Sequence, residues 1–313
     1  MKIPTLCYRL SLVTAVLLSG LALAQQNEGM TSEEVDNIRN NAADIPGSGV
    51  FPATKVVEAD LPDQVVYRPA DLSTLGQTKL GVYVFGNGSC TDDAAHSRFH
   101  ALEVASHGYL TIVPGQIYTG VDAIPRPTET GSPPTSPDQL IAAIDWALAE
   151  NSRPGSPYFG LIDLEAIAVS GYSCGGIQAL ISAKDPRVST VVIMNSGLII
   201  GRQTTMTGST IDKGILEELH TPVIYILGGE TDIAYENGMD DYARINHVPA
   251  AVANINKGHG GTYWEPNGGQ AAQVAVNWLE WQLRDNEHAA QMFMGEHCGL
   301  CQDRDWGFEK KGF

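Results

Sequence analysis

Apolar positions in this chain fall into two alternating patterns. Short, nearly continuous apolar runs cover residues 64–67, 80–85, 109–113, 166–170, 190–195, 223–227 and 250–255. Runs of that length, rich in Val, Ile and Tyr, predict buried strands. Between them apolar residues recur every three or four positions, which predicts helices over residues 94–106, 137–150, 176–183, 240–245 and 270–284. Strands alternating with helices imply right-handed crossovers and a mostly parallel sheet covered on both faces. Residues 114–137 break the alternation with six prolines. They predict a long loop, placed to wall a cleft. The interval between residues 195 and 223 is too short for a large folded lid.

The ends of the chain follow other rules. Lys2 and Arg9 precede an apolar run that closes on Ala22-Leu23-Ala24. A basic start, a short apolar core and a small-x-small site predict a secretory leader over residues 1–24. Interrupted by Ser11, Thr14, Ser19 and Gly20, the run is poorly suited to spanning a bilayer. No later stretch approaches membrane length, so no stable membrane insertion is expected. Residues 25–55 are polar and broken by Pro and Gly, and are expected to form an arm. The domain proper is then 56–286, followed by a C-terminal tail at 287–313.

Hydrophobic residues make up 43% and charged residues 18%, a balance that supports a large core. The formal charge is −17, and loss of Lys2 and Arg9 makes it two units more negative. Such a surface argues against nucleic acid and anionic membranes as partners. Cys7 lies in the leader, which leaves Cys90, Cys174, Cys298 and Cys301. An even number in an exported chain predicts disulfides. Cys298-Gly299-Leu300-Cys301 has redox spacing without a redox-fold context, so a local clip of the tail is the better reading. No metal-ligand set is evident, and no cofactor is called for.

The strongest chemical signal is Gly171-Tyr172-Ser173-Cys174-Gly175-Gly176. It follows an apolar run and opens a helical pattern. Glycines flanking the serine allow strand and helix to approach, and the helix N-terminus favours developing negative charge. A serine hydroxyl needs a base, and the base needs a carboxylate to orient it. Behind such a turn the expected chain order is serine, acid, histidine. Among later histidines, His220 and His247 precede strands, while His288 and His297 follow the final expected helix. His259, just beyond the run at 250–255, remains. The acid is expected on the loop after residues 223–227, with Asp232 preferred and Glu230 as the fallback. Asp240 and Asp241 read as openers of a helix or as solvated charges. An oxyanion hole would use the backbone N–H of Cys174 and a second donor from Asn87, or else Gly88. Cys90 adjoins that loop and Cys174 adjoins the serine, so a Cys90–Cys174 disulfide would fix the two donors relative to each other. Asn87-Gly88-Ser89 is also a glycosylation sequon, expected to stay unmodified because a glycan there would block the site.

Taken together these motifs resemble the α/β-hydrolase superfamily across the mature chain. The short lid interval and the elbow resemble its compact branch, with dienelactone hydrolases, cutinase-like polyester hydrolases and chlorophyllase-like enzymes. Residues 228–238 and 256–263 are similar to a group of exported hydrolases of bacteria and fungi. The resemblance implies an α/β-hydrolase fold without a large lid, and Ser173, Asp232 and His259 as a triad. Phe85-Gly86-Asn87-Gly88 stands where many lipases have His-Gly-Gly-Gly, and no cysteine adjoins His259 as in tannase-like relatives. The expected activity is hydrolysis of small-molecule or polymeric carboxylic esters, or lactones, by an extracellular or periplasmic enzyme. An acyltransferase, or a catalytically silent binding protein on the same fold, would share most of these motifs.

Overall fold

The computed structural model describes residues 31–127, 134–199, 203–204 and 210–313. The expected leader with Cys7, the first residues of the arm and part of the proline-rich loop lie outside them. The chain builds strands β1 (Ala53–Val56), β2 (Gln64–Pro69), β3 (Leu80–Gly86), β4 (Tyr109–Pro114), β5 (Ile162–Tyr172) and β6 (Thr190–Met194). A two-residue hairpin, β7 (Gln203–Thr204) and β8 (Thr210–Ile211), precedes β9 (Val223–Leu227), β10 (Ala250–Ile255) and β11 (Trp306–Lys311). The main sheet has nine strands in the order β1-β2-β4-β3-β5-β6-β9-β10-β11. The central run from β4 to β10 is parallel, while β1, β2 and β11 are added antiparallel.

Helices cover both faces, as a parallel sheet requires. They are α1 (Ser32–Asn41), α2 (Arg98–Ser106), α3 (Pro137–Ser152), α4 (Cys174–Ser182), α5 (Tyr235–Arg244) and α6 (Gly269–Arg284). The two-residue period of β3 divides the core. Tyr83 and Phe85 face a cluster with Leu102 of α2 and Trp278 of α6, while Val82 and Val84 face Ile144 of α3 and Leu180 of α4. Every residue of β6 and β9 is buried. No described helix is long and apolar enough to cross a membrane.

Several expectations need correction. The second helix starts at Arg98 rather than 94, and the expected helix at 240–245 begins at Tyr235. Asp241 therefore lies in the last turns of α5, fully buried. It accepts from Lys213 Nζ at 2.7 Å and from the Leu198 amide at 2.8 Å, so it is neither an opener nor a solvated charge. The arm carries a helix, α1, opened by a capping box in which Thr31 and Glu34 each accept from the other's backbone amide. The buried Arg98 guanidinium closes the other end, donating to the carbonyls of Ile38, Arg39 and Ala42 and to Asp44. The tail ends in β11, which pairs along the whole of β10.

Candidate active site

Ser173 stands at the carboxyl end of β5, between the last strand residue and the first turn of α4. Its φ of 53° and ψ of −118° are unusual for a residue with a side chain. The turn closes only because three glycines meet under it. A Cβ on Gly171 would lie 2.2 Å from the Gly175 carbonyl, and one on Gly175 would lie 2.0 Å from the Gly86 carbonyl oxygen. The Ser173 amide donates to Met194 O at 3.1 Å, and its carbonyl accepts from Ser196 Oγ at 2.6 Å. Both ends of the strained peptide are thereby tied to the end of β6.

His259 lies on the loop after β10, and Asp232 on the loop after β9. His259 Nε2 is 3.0 Å from Ser173 Oγ, and its Nδ1 is 2.6 Å from Asp232 Oδ1. An ionised carboxylate only accepts, so Nδ1 carries the proton and Nε2 is left as the acceptor facing the serine hydroxyl. Asp232 is fully buried at its side chain, whereas His259 is 24% exposed. Burial acts to raise the Asp232 carboxyl. Hydrogen bonds from His259, the Ala234 and Gly228 amides and the Asn195 side chain outweigh it and hold the group below its ordinary value. Glu230, the alternative acid, is exposed to solvent.

The expected oxyanion loop runs alongside. Gly86 is paired with Gly171 in the β3–β5 register, so Asn87 follows directly beside the elbow. The Asn87 side chain is buried and donates to Thr91 O at 2.9 Å and Pro114 O at 2.7 Å. That fixes the loop and leaves the sequon's acceptor amide buried in the folded chain. A Cβ on Gly88 would lie 2.4 Å from the Tyr172 ring, so no side chain fits there. Cys90 and Cys174 form a disulfide with Cα atoms 5.2 Å apart, joining this loop to the residue after Ser173. Cys298 and Cys301 form the second, within the C-terminal segment.

Of the aromatic residues near the three side chains in sequence, Tyr172, Tyr263 and Trp264 are buried core residues. Tyr235 is half-buried and faces a cleft behind the acid loop with Asn254 and Trp306. The hydroxyls matter more than the rings for the site. Tyr172 donates to the His259 carbonyl at 2.9 Å, and Tyr263 donates to Asn195 Oδ1 at 3.0 Å. His96 stacks parallel on Tyr172 and meets Trp264 edge-on, and the Arg39 guanidinium of α1 lies over that indole. Burial, then the neighbouring Arg39, Arg126 and Arg98 charges, pull His96 down to about 4, so it is neutral at ordinary pH. Asn195 was not singled out by the sequence. Its one signal is a polar amide closing an otherwise apolar strand. Among the described residues no cluster of three or more His, Cys, Asp or Glu side chains is disposed to hold a metal ion.

No protein-family model matches the chain, and no curated protein matches it either.

Proposed function

We propose that this chain is an exported serine hydrolase that cleaves carboxylic ester bonds, small or polymeric, through an acyl-enzyme. The observation that carries this reading is the unbroken line from Ser173 Oγ through the imidazole of His259 to the buried carboxylate of Asp232. Ser173 Oγ attacks the ester carbonyl carbon while His259 Nε2 takes its proton. Asp232 stabilises the imidazolium, and the tetrahedral oxyanion is received by the backbone N–H of Cys174 with that of Asn87 or Gly88. The C–O bond breaks, the alcohol leaves with the proton from His259, and water repeats the sequence on the acyl-serine. Exposed Val121, Ile124 and Ile233, on loops at the same edge of the sheet as Ser173, offer apolar surface to the hydrocarbon parts of an ester. The two disulfides suit an oxidising compartment outside the cytosol.

Ser173→Ala is expected to lower hydrolysis of p-nitrophenyl butyrate by several powers of ten and to abolish labelling by a fluorophosphonate probe. Wild-type turnover by that variant, at unchanged circular dichroism, would sink the reading.

A further inference from the structure

We infer that Asn195 is a positioning residue for the proposed acid–base pair, and that the Tyr263 hydroxyl fixes it; the inference rests on the serine-hydrolase reading above. Asn195 follows β6, with its amide still in the ladder through a 2.8 Å bond to Ile226 O. Its φ of 44° turns the side chain under the two loops that carry Asp232 and His259. Asparagine is among the few side-chain-bearing residues that tolerate that conformation.

The amide is 2% exposed and almost fully used. Nδ2 donates to Asp232 Oδ2 at 2.9 Å and to Gly258 O at 3.1 Å, while Oδ1 accepts from Tyr263 Oη at 3.0 Å. The partners dictate this orientation. A flipped amide would set its oxygen against a carboxylate and a carbonyl, neither of which can donate. Two glycines keep the space open. A Cβ on Gly228 would lie 2.8 Å from Asn195 Nδ2, and one on Gly261 would lie 2.8 Å from Oδ1. One side chain thus adds a hydrogen bond to the carboxylate, beside those from His259 and the Ala234 and Gly228 amides, and ties the acid loop to the residue before His259. Asn195 reaches neither Ser173 nor the open side of the site, so its effect passes through Asp232 and His259.

The charged and titratable groups around the pair leave a clear readout. Tyr172 is pushed up to about 12 by burial and by Asp232, and His96 is held near 4, so neither titrates between pH 5 and 9. Lys257 and Glu265 pair with each other, and Glu230 is exposed. Asn195→Asp keeps the shape but replaces the donor with a second carboxyl beside Asp232. Two carboxylates that close favour protonated neighbours.

The experiment is the pH profile of kcat/KM on p-nitrophenyl butyrate for wild type, Asn195→Asp and Tyr263→Phe, with melting curves to establish folding. Asn195→Asp is expected to move the acid limb to higher pH by about one unit and to lower kcat at least tenfold, with KM nearly unchanged. Tyr263→Phe, which leaves Oδ1 without its donor and loosens the amide beneath Asp232, should show the same limb shift in smaller measure. It also carries the test should Asn195→Asp fail to fold. A folded variant with the wild-type acid limb and kcat would overturn the inference, as would a loss seen only in KM. Ser173→Ala separates the two levels, because its survival removes the hydrolase reading whatever Asn195 does.

Discussion

At the scale of single residues, the site is a set of donors aimed at one carboxylate. Asp232 accepts four hydrogen bonds and, among the described residues, is paired with no cation other than the imidazolium it is proposed to stabilise. Asp232→Asn should therefore reduce kcat by something on the order of 10⁴-fold, because the amide favours the wrong imidazole tautomer. Glu230→Gln, two residues away on the same loop but exposed, should leave kcat/KM within about a factor of two. Steady-state kinetics on one short ester decides between the two carboxyls. Ser173, Asp232 and His259 were legible in the sequence because each sits in a local signature, a glycine-flanked serine or a loop just after an apolar strand. Asn195 was not, since its side-chain partners lie 37 and 63 positions away and only the fold brings them together.

At the scale of elements, what could be read depended on how deeply an element is buried. The central strands carry apolar runs that nothing else explains, so their positions were anticipated to within a few residues. The edge strand β11 was missed because half of it faces outward and Glu309, Lys310 and Lys311 mask the alternation of Trp306 and Phe308. Likewise α1 sets the partly buried Val35 and Ile38 against the core, and its capping box lies in a stretch dominated by polar and turn-forming residues. The disulfide between the β3 loop and α4 spans 84 residues, whereas the tail clip spans three. On chain entropy the first is worth about 4.5 kcal/mol and the second less than half of that. Replacing Cys90 and Cys174 together with serine should thus lower the melting temperature far more than replacing Cys298 and Cys301. It should also reduce kcat, because the loop with Asn87 is no longer fastened beside Cys174. Calorimetry and kinetics on the two double variants would test both statements, and equal losses would contradict them.

For the whole molecule, several buried groups set the response to acid. His100 lies fully buried at about 4, lowered by desolvation, with Nε2 on the Tyr83 hydroxyl, and His96 lies at a similar value. An unfolded chain takes up both protons near 6.5, so between that pH and 4 the unfolded state binds more protons and stability falls as pH drops. Glu103 resists burial through bonds from His107, Ser48 and Gln273 and is held at about 2, which adds a further loss below its ordinary 4.5. Asp241 and Asp93 act in the opposite sense, both raised by burial and Asp241 to about 6 despite Lys213, but the lowered carboxyls of Asp232 and Asp240 add to the loss from the two histidines and Glu103. The urea midpoint should accordingly fall steadily from pH 7 to pH 4, and a flat profile would contradict the assignment. The bond between Cys90 and Cys174 also bears on how the molecule would be classified by inhibitors. Produced in a reducing cytosol, the chain would carry a free thiol directly after its proposed hydroxyl nucleophile. An alkylating reagent attached there would crowd the oxyanion donors, and the preparation would behave towards inhibitors like a cysteine hydrolase while its chemistry still ran through serine.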